Sequence, residues 1–409
     1  MNPIVYAIPI FMLTIVIEFA VAYFQHRNVY DTSDALTSLH IGIISQVFNT
    51  FTKLFTIGIY IAVYQAFAAL AWPMDNVALW LLAVVLYDFC YYWNHRLNHE
   101  IALLWGCHVV HHSSEYFNLS TALRQSSTAA FFNWMFYLPL AVLGVPPTMF
   151  AIVALIDLLY QYWVHTELID RLGFLEWIFV TPSNHRVHHG QNDYCIDRNY
   201  GGIFIIWDRL FGSFADERRD EKVCYGVRKP LASLNPIWGN LHYYVELWRE
   251  ARKARGWRGK LGVWLAPPGG WSGGALAHFE AERFARFDPA TPLPLRCYVA
   301  AHCVTLILLL GHFLAILGTL GTAAAASYGA FIVLTAVSLC GLLERLRWAK
   351  WLEQARLLVM AAAMSVPSAG FVAALPLGAR LGVAIAALGC LTWLATQDVT
   401  RIDPTRASA

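Results

Sequence analysis

The stretch "LWLLAVVLYDFCYYWNHRLNH", residues 79–99, begins as an apolar run and ends in two histidines four residues apart. A helix that crosses the hydrocarbon core takes about 20 mostly apolar residues. The run therefore reads as a membrane span over 76–94 that delivers His95 and His99 at its end. Residues i and i+4 share a helical face, and Asp88, two turns earlier, falls on that face too. The rest of the chain has the same character: of 409 residues, 58% are hydrophobic and only 14% charged, where a soluble domain carries nearer ~25% charged residues. The membrane is the natural solvent for such a chain.

Further spans are expected at 3–24, in the long run 41–72 as either one tilted span or two partial ones, and as a pair within 127–165 that the "GVPPT" of 144–148 divides into a helical hairpin. Between Arg124 and Glu167 that pair holds one acidic residue, Asp157, and no Lys or Arg. An even number of crossings returns the chain to its starting side, which places the histidines before and after the hairpin on one membrane face. From 166 to 260 the chain turns polar and carries 15 of the 29 Lys and Arg residues, which makes that face cytoplasmic by the positive-inside rule. Within it, 240–256 reads as an amphipathic helix, lying either at the membrane interface or on the protein surface. After the linker "APPGGWSGG" (266–274) four more spans are expected, at 295–318, 322–342, 357–375 and 377–396.

The implied domains are N-terminal membrane spans (1–75), a catalytic domain (76–274) and a C-terminal transmembrane module (275–409). The first residues lack the positive charges and cleavage site of a signal peptide, so 3–24 is expected to be a retained span. A net charge of +2 argues against a nucleic-acid partner. The eight cysteines are scattered without a CxxC pair and read as small buried hydrophobes.

Two further histidine clusters follow: His108, His111 and His112 in "HVVHH", and His185, His188 and His189 in "HRVHH". Each HxxHH is expected to aim three imidazoles from one helical face. Imidazole suits Fe, Zn, Cu and Ni, so ligand type leaves the metal open. The count points to two metals with about four ligands each, since one zinc takes four. His165, in "YQYWVHTEL", returns to the same face as a ninth ligand or a supporting residue. The glutamate of HExxH is missing, which argues against a zinc peptidase. A nitrogen-ligated di-iron centre at a membrane face suits activation of O2 against a lipid C–H bond. A metal transporter is the competing class, but it calls for ionisable groups midway through several spans, whereas these histidines gather at span ends. His302 and His312, without clustered partners, read as packing residues. The expected fold is all-α: a polytopic integral-membrane helical bundle with a cytosolic histidine-rich di-iron cap and an extra C-terminal block of spans.

The order HxxxH, HxxHH, HxxHH, followed by "NYGGIFIIWDRLFGSF" (199–214), resembles the fatty acid hydroxylase or sterol desaturase superfamily. Within it, "HHSSEYFNLSTALRQS" (111–126), "YQYWVHTE" (160–167), "NHRVHHGQNDYCIDRNYGG" (184–202) and "PPGGW" (267–271) are similar to the glyceryl-ether, or alkylglycerol, monooxygenase family. The resemblance runs over about 75–271 and implies metal ligation by His95, His99, His108, His111, His112, His185, His188 and His189, with His165 in addition. It marks Glu115 as the carboxylate placed to bind or orient a cofactor or a ligating histidine. Asn184, Asn199, Tyr200 and Asp208 follow as supporting or substrate-contacting residues, and His242 also falls on a family position; His26 and His40 read as structural.

The implied reaction is O2-dependent hydroxylation of the ether-linked carbon of an alkylglycerol, after which the hemiacetal falls apart to fatty aldehyde and glycerol. The implied cofactors are two iron ions, with tetrahydrobiopterin as electron donor and O2 as co-substrate; no cofactor-binding residue is assigned. The partners are a lipid entering from the bilayer and a reductant, and the implied location is a bacterial inner membrane or the endoplasmic reticulum. A fatty acyl or sterol hydroxylase or desaturase with another electron donor is the alternative within the superfamily.

Overall fold

Asn76 starts the decisive helix. Its side-chain oxygen accepts from the backbone N–H of Ala78 at 3.0 Å and of Leu79 at 3.4 Å, satisfying donors that a helix start leaves open. The helix runs Val77–Glu100 and ends where Ile101 adopts extended backbone. In this computed structural model, which describes residues 3–272, 278–366 and 376–399, the described residues are helical and contain no strand beyond isolated bridges at Phe179–Phe204 and Gly190–Tyr225. They form two compact units. One comprises Met1–Ala232 with Ile237–Phe287, the other Ser233–Pro236 with Asp288–Ala409.

The first unit opens with α1 (Pro3–Phe24), α2 (Thr32–Phe67) and α3 (Val77–Glu100). All three are long and apolar enough to cross a bilayer. The run expected at 41–72 is one 36-residue helix that begins earlier, capped by Asp31 onto the N–H of Asp34 at 2.9 Å. Thr37, Ser38, His40 and Ser45 in its first half are buried within the protein.

After α3 come three single turns, α4 (Ala102–Trp105), α5 (Val109–His112) and α6 (Leu119–Ala122), then α7 (Leu138–Leu143) and α8 (Pro147–Trp163). Here the structure corrects the expected hairpin of full spans. Its first limb is two 3-10 turns, Ala129–Phe131 and Asn133–Tyr137, followed by the six residues of α7. Its second limb has 17 residues, about 25 Å of helix against a core of about 30 Å. Neither limb is among the helices long and apolar enough to cross a bilayer. Aromatic packing holds it: Tyr60 stacks on Phe150 at 4.1 Å and Tyr87 on Tyr137 at 4.7 Å, and the Tyr60 hydroxyl donates to the Val145 carbonyl at 2.9 Å.

The turn of this pair depends on Gly144, at φ +94, where a Cβ would stand 2.0 Å from the Leu70 carbonyl oxygen. The left-handed region alone costs an L-residue about 1–2 kcal/mol, and the clash adds to it. Gly144→Ala is expected to lose about 2 kcal/mol or more, read as a lower apparent Tm in detergent. Gly58→Ala, with nothing within 4 Å of its Cβ, is the control and should leave Tm unchanged or slightly raised.

The unit is completed by α9 (Pro182–His188), α10 (Ile206–Phe211), α11 (Pro236–Lys253) and α12 (Gly256–Leu265). The helix expected at 240–256 is α11, and it buries Tyr243, Leu247 and Ala251 against Ala102 and Val109.

The second unit holds α13 (Leu293–Ile316), α14 (Thr322–Leu343), α15 (Arg347–Ser365) and α16 (Leu377–Thr396). Three of these helices qualify as spans, so six candidates stand among the described residues; α15 is not one of them. The span expected at 357–375 therefore begins earlier, at Arg347, and its residues 367–375 lie outside the described ones. Charge explains the difference: α15 carries Arg347, Lys350, Glu353 and Arg356. Glu353 and Arg356 are buried as a pair. The carboxylate accepts from Arg356 Nε at 2.8 Å, from the Ser338 hydroxyl at 2.6 Å and from the Tyr298 hydroxyl at 2.5 Å, which satisfies the charges a low-dielectric interior would otherwise penalise. His302 packs beside Tyr298, and His312 bonds the Tyr328 hydroxyl at 3.1 Å.

Candidate metal centre

The last turn of α3 presents His95 and His99 one above the other. Beyond the break at Ile101, His108 caps α5, whose last residues are His111 and His112. His165 follows Val164, the C-cap of α8. Thr181 and Asn184 form a reciprocal capping box at the start of α9, which ends with His185, His188 and His189. These four sources converge into two groups. His95, His99, His108, His112 and His188 form one; His111, His165, His185 and His189 form the other. Within each, the candidate ligand atoms lie within 4.8 Å of one another.

Neither HxxHH motif serves one group with three imidazoles, contrary to expectation. His108 and His112 turn to the five-histidine group while His111 turns to the other; His185 and His189 turn to the four-histidine group while His188 crosses over. Helical geometry gives the reason. Positions i and i+4 diverge by about 40°, but i+3 and i+4 by about 100°, so consecutive histidines look to opposite sides.

All nine offer Nε2. His95 and His112 point Nε2 at that of His108, at 2.9 and 3.1 Å. His111 and His185 point Nε2 at that of His165, at 3.3 and 3.0 Å. The Nε2 atoms of His99, His188 and His189 are buried without a hydrogen-bond partner. Two nitrogens bound about 2.0–2.1 Å from one ion stand about 2.9–3.4 Å apart for right-angled to tetrahedral bonding, which these separations match.

In four of the nine, the opposite ring nitrogen fixes the tautomer. Nδ1 donates to the carbonyl of Tyr200 from His95 (2.8 Å), of Arg124 from His111 (3.1 Å), of Gln161 from His165 (2.7 Å) and of Arg198 from His188 (2.9 Å). A proton held on Nδ1 leaves the Nε2 lone pair for a metal. Burial, and then the neighbouring imidazoles, hold His108, His112, His185, His188 and His189 well below the usual histidine range. Burial likewise brings His111 down to about 4. Neutral rings are what ligation requires, so the donor set fits a pair of metal ions.

The loop 198–208 supplies two of those carbonyls and is itself clamped. Asp208 accepts from the N–H of Tyr200 at 2.7 Å and of Gly201 at 2.8 Å, and from the Ser213 hydroxyl at 2.7 Å; burial pushes its carboxyl up to about 6. Asp88 accepts from the N–H of Ile203 at 2.6 Å and of Phe204 at 3.0 Å, and from Trp207 Nε1 at 2.8 Å. A Cβ at Gly202 would stand 2.7 Å from Asp88 Oδ1 and 2.8 Å from Asp157 Oδ1, so the loop seats on the two aspartates only with glycine there. Asn199, at φ +57, bonds the Asn184 carbonyl at 2.9 Å and both backbone groups of Ala215.

Glu115 stands apart from both groups, accepting from the N–H of Phe287 at 2.6 Å. Asn184 caps α9 and carries a buried Nδ2 without a partner. His242 lines a pocket and bonds carbonyls of its own helix, His40 is buried on the Leu36 carbonyl, and His26 sits in the turn after α1. Sequence reasoning did not single out Arg124 or the clamp made by Asp88. Arg124 is buried, donates from Nε to the Val110 carbonyl at 2.9 Å and from Nη2 to the Ser113 hydroxyl at 3.0 Å, and so braces α5. The available signals were a lone arginine in a polar stretch and the heptad spacing of Asp88 from His95. A pocket of about 1320 Å³ reaches His99, His112 and His188 of the five-histidine group, walled by Trp105, Trp238 and Trp271.

A helical membrane protein with this histidine cluster has the build of a membrane-bound oxidoreductase, and residues 80–213, which include all nine histidines, match the fatty acid hydroxylase family. The chain is 36% identical to an alkylglycerol monooxygenase of Xenopus tropicalis over 85% of its own length and 79% of the relative's. It is 45% identical to one of Danio rerio over 66% and 59%, and 31% identical to an ornithine lipid hydroxylase of Rhizobium tropici over 39% and 48%. No solved structure gives a significant match. The chain belongs to the alkylglycerol monooxygenase branch of the fatty acid hydroxylase superfamily. It is a multi-pass membrane oxidoreductase, a lipid monooxygenase.

Proposed function

We propose that this chain cleaves the ether bond of alkylglycerols in an O2-dependent reaction, with two iron ions held by the nine histidines. The observation that carries the metal reading is the division of nine clustered histidines into groups of five and four, each with its candidate ligand atoms within 4.8 Å of one another. The family relationship carries the substrate. The irons would supply O2 activation: one oxygen atom enters the carbon next to the ether oxygen, and the other leaves as water with two electrons and two protons from a reductant. The hydroxylated carbon is a hemiacetal, which collapses to fatty aldehyde and the free glycerol hydroxyl. Tetrahydrobiopterin is the proposed reductant.

The protein's own residues hold His95, His111, His165 and His188 in one tautomer through the carbonyls of Tyr200, Arg124, Gln161 and Arg198, and Asp88 and Asp208 hold the loop that bears two of those carbonyls. The pocket at His99, His112 and His188 is the proposed place where substrate or reductant meets the metals, and its tryptophans exclude water. Residues 76–274 are proposed as the catalytic part, 1–75 as N-terminal spans and 275–409 as a membrane module. The basic balance of 166–260 supports a cytoplasmic catalytic face.

Elemental analysis of detergent-purified protein should give about two irons per chain, and oxygen added after pterin should release fatty aldehyde from an alkylglycerol. Two irons without aldehyde from several ether lipids would sink the ether reading and turn the search to hydroxylated acyl lipids, as the ornithine lipid hydroxylase relative favours.

A further inference from the structure

The helix α12 buries one residue, Val263, and exposes almost all the rest. Trp257, Leu261 and Leu265, at i, i+4 and i+8, form an outward apolar stripe in which Trp257 is 70% exposed. Trp248 of α11 is exposed beside it in sequence. Arg255, Arg258 and Lys260 flank the stripe, and none of the three forms an ion pair among the described residues; the Arg258 guanidinium carbon lies 5.4 Å from the Trp257 ring centroid. From Ala251 to Phe279 the chain holds five Lys or Arg and no Asp or Glu. Exposed tryptophan and leucine bordered by uncompensated cations suit the headgroup layer of an anionic bilayer better than open water.

The location of α12 supports that seat. The N–H of Ala102 donates to the carbonyl of Ala266 at 2.8 Å, which pins the end of α12 to the point where α3 ends. The 24 residues of α3 make about 36 Å of helix, a few ångströms longer than the hydrocarbon core. Its histidine end therefore emerges among the headgroups, and α12 is fastened there. Arg249, Arg252 and Lys253 before α12, and Pro267, Pro268 and Trp271 after it, line the pocket that reaches the five-histidine group.

We infer that α12 is an interfacial anchor that lies in the headgroup layer of the leaflet on the histidine side, recognises anionic phospholipid through Arg255, Arg258 and Lys260, and holds the pocket mouth at that layer. The test uses the full chain in lipid nanodiscs of phosphatidylcholine, alone or mixed with phosphatidylglycerol, with chymotryptic cleavage at Trp257 followed by mass analysis of fragments. Cleavage should be about tenfold slower in the anionic discs. The protection should vanish in about 0.5 M salt and in the triple variant R255Q/R258Q/K260Q, whose fold is checked by wild-type metal content. Equal cleavage in both discs, or protection that survives both salt and the triple variant, would overturn the inference. The wild-type salt series keeps it falsifiable if the variant does not fold. Cleavage is read without turnover, so its failure leaves the ether-lipid reading standing, and a protein that never releases aldehyde leaves this inference standing.

Discussion

His189→Ala is expected to lower the metal content from about two ions per chain to about one, whereas His188→Ala, one residue away, should retain more metal while losing activity as severely. The two neighbours belong to different groups. Removing His188 leaves four imidazoles in its group, still a full set for a four-coordinate ion; removing His189 leaves three. Structural zinc in zinc-finger peptides is bound with about 10–16 kcal/mol over four ligands, or about 2.5–4 kcal/mol per ligand, and the same scale is taken for these sites. That is roughly 10²–10³-fold in affinity for one lost imidazole. Turnover should fall at least ~100-fold in both proteins, beyond the 10–100-fold typical of changes one step removed from the metal. Elemental analysis alongside aldehyde release checks both halves. Identical metal contents in the two variants, starting from one ion in the wild type, would show that the nine histidines do not divide as their geometry implies.

That division marks where the sequence stops being informative. Spacing along one chain shows that His108, His111 and His112 are helical neighbours. Which side each meets is decided by elements that pack around them from elsewhere: α3, the turn after α8, and α9. The span α3 was legible because its apolar run and its histidine end agree. The stretch 127–143 read as a span on composition alone; its aromatic residues fill space between α2 and α3 instead, and Pro139 and the left-handed Gly144 shorten the helix. In α15, hydropathy could not report that Glu353 finds Arg356, Tyr298 and Ser338. Glu115 shows the same limit, since its partner Phe287 lies 172 residues along the chain.

Asp88 offers the second strong test, because it acts on the metals only through backbone. Its buried carboxylate meets the N–H groups of Ile203 and Phe204 and the indole N–H of Trp207, on the loop whose Arg198 and Tyr200 carbonyls hold His188 and His95. In Asp88→Ala these three donors lose their acceptor, at about 1–3 kcal/mol each, a cost large enough that the loop is expected to move toward other partners. Both tethered imidazoles belong to the five-histidine group, so metal affinity there should fall about 10–100-fold, while the four-histidine group, held by the carbonyls of Arg124 and Gln161, keeps its ion. Competition with a graded chelator should therefore resolve one weakened site and one unchanged site, a pattern that general unfolding would not produce. If both ions are retained as tightly as in the wild type and only the unfolding temperature drops, Asp88 serves the fold alone. The clamp would then pass to Asp208, which holds Tyr200 and Gly201 from the other side of the same loop.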